Sequence, residues 1–148
     1  MSDATIQGYI QTLIQADALF DAADVTLGDF LALERGSMPV AVVLPGRIVD
    51  ASRSGDWSQV LYVWEHVVEV FEDFVNDSYS DFTSARQAVL DAIAENPTLG
   101  GHIGNAFVSE ATPPIYLRDG GEEPLWVFSR VTVRSIEEVL YAGSGEFA

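Results

Sequence analysis

A chain of 148 residues, 48% of them hydrophobic, with a formal charge of −16 is long enough to bury its own core and too apolar to be a disordered acidic tail. Its seven basic residues are all arginine and stand against 23 acids, a balance that repels a phosphate backbone and excludes direct nucleic-acid binding. The absence of cysteine excludes disulfides, thiolate zinc sites and cysteine nucleophiles.

The first residues, MSDATIQGYIQTL, have no basic start and no unbroken apolar run, and no stretch of about 18 apolar residues follows. The expectation is a chain neither exported nor membrane-spanning. Residues 3–20 predict an amphipathic helix capped by Ser2 or Asp3, with Ile6, Ile10, Leu13 and Ile14 on one face and Gln7, Gln11 and Gln15 on another. Within 21–36 the pattern supports one weak strand near 25–27 and otherwise a loop. Met38 to Leu44 is a short β-branched run that predicts a strand buried on both faces, closed by the turn signal Pro45-Gly46. The polar segment 46–58 that follows reads as a long loop.

Residues 58–75 fit a helical stripe almost as well as a strand, and the dominance of Val, Tyr, Trp and Phe without alanine decides for the strand. Tyr62, Trp64, His66, Val68 and Val70 then share one face, with Leu61, Val63, Glu65, Val67, Glu69 and Phe71 on the other. Residues 81–95 predict the most clearly marked helix of the chain. Ser80 or Asp81 can cap it, Phe82, Ala85, Val89, Ala92 and Ile93 form its apolar face, and Asn96-Pro97 stops it. Short strand pieces follow at 106–110 and 115–117 around Pro113-Pro114, which suits an edge. The last long strand is 125–136, and it is expected to pair antiparallel with 58–71 in the centre of the sheet. Glu65 and Glu69 would then meet Arg130 and Arg134.

These elements predict one α+β domain over 1–148, with frayed ends at 1–2 and 141–148. Its mostly antiparallel sheet of about four to five strands carries two helices packed on one face. Two helices leave the other face uncovered. Val63, Val67, Phe71, Trp126 and Phe128 are therefore expected to form an association surface, with Arg47 and Arg53 of the loop 46–56 reaching an acidic neighbour. The alternative is that residues 21–36 fold over that face.

No catalytic, cofactor or metal constellation emerges. The only bases near neutral pH, His66 and His102, sit in no recognisable motif, and HExxH is absent. Glu65 and His66 are neighbours on a strand and point to opposite faces. Gly100 to Gly104 reads as a turn after a helix rather than a phosphate loop. The acidic pairs Glu72-Asp73, Glu122-Glu123 and Glu137-Glu138 read as solvated surface.

The element order, with the helix closing in Glu95-Asn96-Pro97-Thr98-Leu99-Gly100-Gly101 and two strands around Ile115-Tyr116, resembles the tail-terminator and neck proteins of tailed bacteriophages. That resemblance covers roughly residues 3–140. It implies a non-enzymatic virion protein, assembled in the bacterial cytoplasm, whose copies form a ring, typically a hexamer, between tail tube and head connector. It implies no catalytic residue, cofactor or membrane contact. A different reading of the charge is an acidic inhibitor or DNA mimic that occupies a basic protein site.

Overall fold

The computed structural model describes residues 2–28, 39–55, 58–73, 78–117 and 126–140, and for residues 73, 78–83, 117 and 126 the description covers the backbone. Helix α1 spans Asp3–Gln15. Ser2 sets its start by accepting the Thr5 amide at 3.2 Å, and Asp3 places an acid at the positive end of the helix dipole. Ile6, Ile10 and Ile14 are fully buried. The glutamine row beside them is a second contact face rather than a solvent face. Gln7 donates to the Val43 carbonyl at 2.8 Å, Gln11 to the Val25 carbonyl at 2.9 Å and Gln15 to the Ala22 carbonyl at 2.9 Å.

Those carbonyls belong to the sheet edge and its approach. The strands are β1 (Val25–Leu27), β2 (Val40–Val43), β3 (Arg47–Arg53), β4 (Gln59–Asp73), β5 (Asn105–Ala111), β6 (Ile115–Leu117) and β7 (Trp126–Leu140), with α2 at Ser78–Ala94. The expectation of four to five mostly antiparallel strands is corrected here. The sheet has seven strands and is mixed, because β1 pairs with β2 in parallel. A parallel neighbour needs a crossover of about a dozen residues, and the segment between Leu27 and Val40 supplies that length.

The higher strand number has a local cause. β2 and β3 both pair with β4, at residues 68–71 and 60–65 respectively. Pro45-Gly46 therefore does not reverse the chain; it interrupts one long path along β4. The segment expected to be a loop is strand β3. On the other side β5 and β6 both pair with β7, at 131–136 and 126–128, and Thr112-Pro113-Pro114 interrupts that path in the same way. Proline has no N–H for the ladder, so each path breaks where proline falls.

β4 and β7 are each 15 residues long and pair antiparallel along their whole length. Both helices lie on one side of them. Ile6, Ile10 and Ile14 of α1 and Ala85, Val89 and Ile93 of α2 share a cluster with Val43, Val68, Val70, Val131 and Val133. α2 starts three residues ahead of the expected 81. It ends as expected before Asn96-Pro97, with the Asn96 side chain donating to the Ala92 carbonyl at 2.8 Å. Gly100 and Gly101 take φ values of +78° and +91°, which glycine adopts without a Cβ penalty.

Each helix is also tied to one of the two breaks. Asp3 Oδ1 accepts the Gly46 amide at 2.8 Å and lies 2.7 Å from His66 Nε2. Arg86 of α2 donates to the Thr112 carbonyl at 3.0 Å, which also accepts the Ser129 hydroxyl at 2.7 Å. The Thr112 hydroxyl accepts the Arg130 amide at 2.9 Å. A buried polar group that finds no partner costs about 1–3 kcal/mol, so these side chains stabilise ladder interruptions that would otherwise leave groups unpaired.

A Cβ on Gly46 would meet the Glu65 carbonyl oxygen and the His66 ring at 2.5 Å. Gly46→Ala is expected to destabilise by about 1–3 kcal/mol through overpacking, read as a lower urea midpoint at unchanged slope. His66 is fully buried, and that burial lowers its pKa below the ordinary 6.5 against the opposing pull of Asp3. The folded state therefore resists protonation that the unfolded chain accepts. Stability contributed by the neutral ring is complete above about pH 6.5 and falls as pH drops through that value toward the depressed folded pKa. His66→Gln is expected to remove that part of the pH dependence in a series of urea titrations.

Candidate functional site: the open face of the sheet

Period-2 geometry puts the odd-numbered residues of β4 on the side away from α1 and α2, which carries no helix among the described residues. The register then sorts that side into rows. Val40, Phe71, Phe128 and Ile115 make an apolar row at one end. Next come Glu69 beside Arg130, Val67 beside Thr132, and the row Arg47, Glu65, Arg134 and Phe107. Asp50, Val63, Ile136 and Asn105 follow, with Leu61 beside Glu138 at the far end. Apolar and charged rows alternate.

The expected meeting of Glu65 and Glu69 with Arg130 and Arg134 is what the register delivers. Arg130 Nε lies 3.1 Å from Glu69 Oε2, and Arg134 Nη2 lies 3.4 Å from Glu65 Oε2. Arg47 adds a second cation to Glu65 at 3.5 Å. The carboxylate side chains are 17–19% exposed and the guanidinium groups 43–77%, so acids sit low on the sheet beneath arginines that reach into solvent. Partly exposed pairs of this kind contribute at most about 0.2–1 kcal/mol each. Their larger effect is to fix register, since a one-residue slip would send each partner to the opposite face.

The seven residues expected at an interface do not form one patch. Val63, Val67, Phe71 and Phe128 share the open side, as expected, and Arg47, expected on a loop, joins them from strand β3. Phe71 and Phe128 are nevertheless buried, at 6% and 7% exposure, in a small cluster with Val40 and Val42. Their rings stack at 5.5 Å, so they contribute little accessible surface. Arg53 pairs with Val60 and lies on the helix side. The Trp126 side chain lies outside the described residues, as do residues 29–38, on which the alternative cover for this face depended. Val63 and Val67 are half-buried, and Leu61, Phe107 and Ile115 are 36–42% exposed. The sequence reading placed Leu61 on this face and 106–110 and 115–117 in strands, but without their register it could not put Phe107 and Ile115 on the same side.

His66 is fully buried and His102 stacks on Tyr9 with ring centroids 3.9 Å apart. His66 Nδ1 has no hydrogen-bond partner, so the Nε2–H tautomer donates to Asp3. Among the described residues no three acids and histidines converge on a metal position, and no helix is long and apolar enough to cross a membrane. Glu137 departs from the reading as solvated surface. It is 6% exposed, with its Oε1 3.4 Å from the Trp64 indole nitrogen. Glu122 and Glu123 lie outside the described residues.

No family model matches the chain, and no curated protein matches it. Among solved structures it is similar to a chain of the "virion of native gene transfer agent (GTA) particle", with a TM-score of 0.61 and 15% sequence identity. The match covers 93% of this chain and 98% of the other. At that identity the likeness shows a shared fold, spanning nearly the whole of both chains.

Proposed function

We propose that the chain is a structural, non-enzymatic virion protein of a phage-like particle, and within that class a ring subunit that terminates the tail tube and joins it to the head connector. The observation that carries the reading is the end-to-end fold match to a virion chain. The element order that resembles tail-terminator and neck proteins supports the finer role. A surface suited to assembly is available: the open face sets half-buried valines beside the arginine-capped Glu65 and Glu69, and its exposed Asp50, Glu110 and Glu138 lie toward the edges and the far end. The partners are further copies of the chain, in a hexamer or a ring of another number, and the tail-tube and connector proteins above and below.

Val67 is the residue to test. It stands half-buried between Glu65 and Glu69, opposite Thr132 and diagonal to Arg130 and Arg134, so a carboxylate there puts charge in the middle of the face while leaving the helix-side core untouched. Val67→Glu is expected to leave the isolated subunit folded, with a cooperative urea transition at a somewhat lower midpoint, and to reduce assembly measured by light scattering on a sizing column. Cooperative loss of the fold, with normal assembly of the remaining folded protein, would place this face in the intramolecular core and remove it as an interface.

A further inference from the structure

The two sides of the sheet end in edges of opposite character. On one side β3 has no strand on its outer edge among the described residues. Arg47 there is 77% exposed at its side chain even while paired to Glu65, and Ile48 is 45% exposed. Ile48 pairs with Trp64 and so points to the helix side. On the other side β5 likewise ends the sheet. Beside it, between β5 and α2, runs a groove of about 480 Å³ lined by Leu90, Asp91, Ala94, Pro97, Phe107 and Val108. Asp91 is the acid in its lining, and Glu95, one helical turn further on, and Glu110 of β5 on the open side are exposed.

We infer that the β3 edge of one copy docks into the α2–β5 groove of a second copy, with Ile48 as the apolar plug and Arg47 and Arg53 facing the acids of the groove rim. The faces agree when the two sheets are set side by side. Ile48 and Arg53 lie on the helix side, where α2 carries Asp91 and Glu95. Arg47 lies on the open side, where Glu110 pairs with Thr132. Both edges carry a bulge, after Ile48 in β3 and after Val108 in β5, and the Ala106 amide already donates to the Pro97 carbonyl. The contact is therefore side-chain packing and charge pairing, not a long shared ladder. A second copy is the fitting occupant because the chain itself presents both an edge with the exposed Ile48 and Arg47 and an apolar groove with Asp91 in its lining.

β4 and β7 separate the two surfaces, so one subunit cannot satisfy both with itself or with a single symmetric partner. A head-to-tail contact of this kind closes into a ring if the rotation between copies permits. The inference thus rests on the ring reading and names the surfaces that would build it.

The cysteine-free chain makes the test direct. Ala51→Cys on β3 and Ala94→Cys in the groove replace small exposed residues and leave Ile48 in place. Mixing the two single variants, one carrying a mass tag, and oxidising them should give the tagged–untagged disulfide dimer, with far less dimer from either variant alone. Ile48→Asp in the Ala51→Cys chain should lose that band while its unfolding midpoint stays near that of the parent. Equal dimer from either variant alone, or no mixed dimer while the unaltered chain assembles on the same column, would overturn this interface and leave the ring reading standing. A chain that remains monomeric at every concentration and gives no mixed dimer would overturn both.

Discussion

The structure depends on one long-range pairing, β4 against β7, two strands joined through α2 and the β5–β6 segment. Fifteen residues of each strand are in register, so a single alignment fixes which side chains face the helices and which face away. The helix side of that alignment carries the core valines, Val68 against Val131 and Val70 beside Ser129, with His66, Ser135 and Glu137 as its other buried polar groups. The open side mixes valines with the Glu65–Arg134 and Glu69–Arg130 pairs. A slip by one residue would drive these charges under the helices, where an unpaired buried charge is strongly unfavourable. The pairs contribute modest stability and considerable specificity.

The remaining strands accommodate to this pair. Each flanking path is interrupted once by proline, and each interruption is held by polar side chains that include one from a helix: Asp3 at Gly46, Arg86 at Thr112. The helix layer is consequently attached to the sheet both by apolar packing and by directed hydrogen bonds at the breaks. His66 joins this scheme as a neutral donor to Asp3, held uncharged by burial. Among the described residues this fold leaves β3 and β5 as dissimilar outer edges and one face of the sheet without helices.

Much of this was legible in the residues. The alternation through Val63 to Phe71 and Trp126 to Arg134 specified both central strands and their charge register, and Asn96-Pro97 with Gly100-Gly101 marked the end of α2. The parts that were not legible share a cause. RIVDASR at β3 has few apolar residues because an edge strand buries little, so its pattern cannot be told from a loop. Pro45-Gly46 signals a break in the ladder as readily as a chain reversal, and only the partner strand decides which. The glutamine row of α1 looks like a solvent face because sequence shows the donors but not the edge carbonyls that receive them. Phe71 and Phe128 were expected at the surface, whereas stacking on each other beside Val40 and Val42 buries them. The exposed apolar residues were only partly visible for the same reason: Ile48, Phe107 and Ile115 become surface features once the edges are known.

The account's central claim is a joint in a phage-like particle, and deletion of the coding sequence followed by electron microscopy of the released particles tests it most directly. The account predicts filled heads and assembled tails that fail to join or tails of irregular length, with restoration by the intact gene supplied separately. Complete, infectious particles of normal form from the deletion would contradict it.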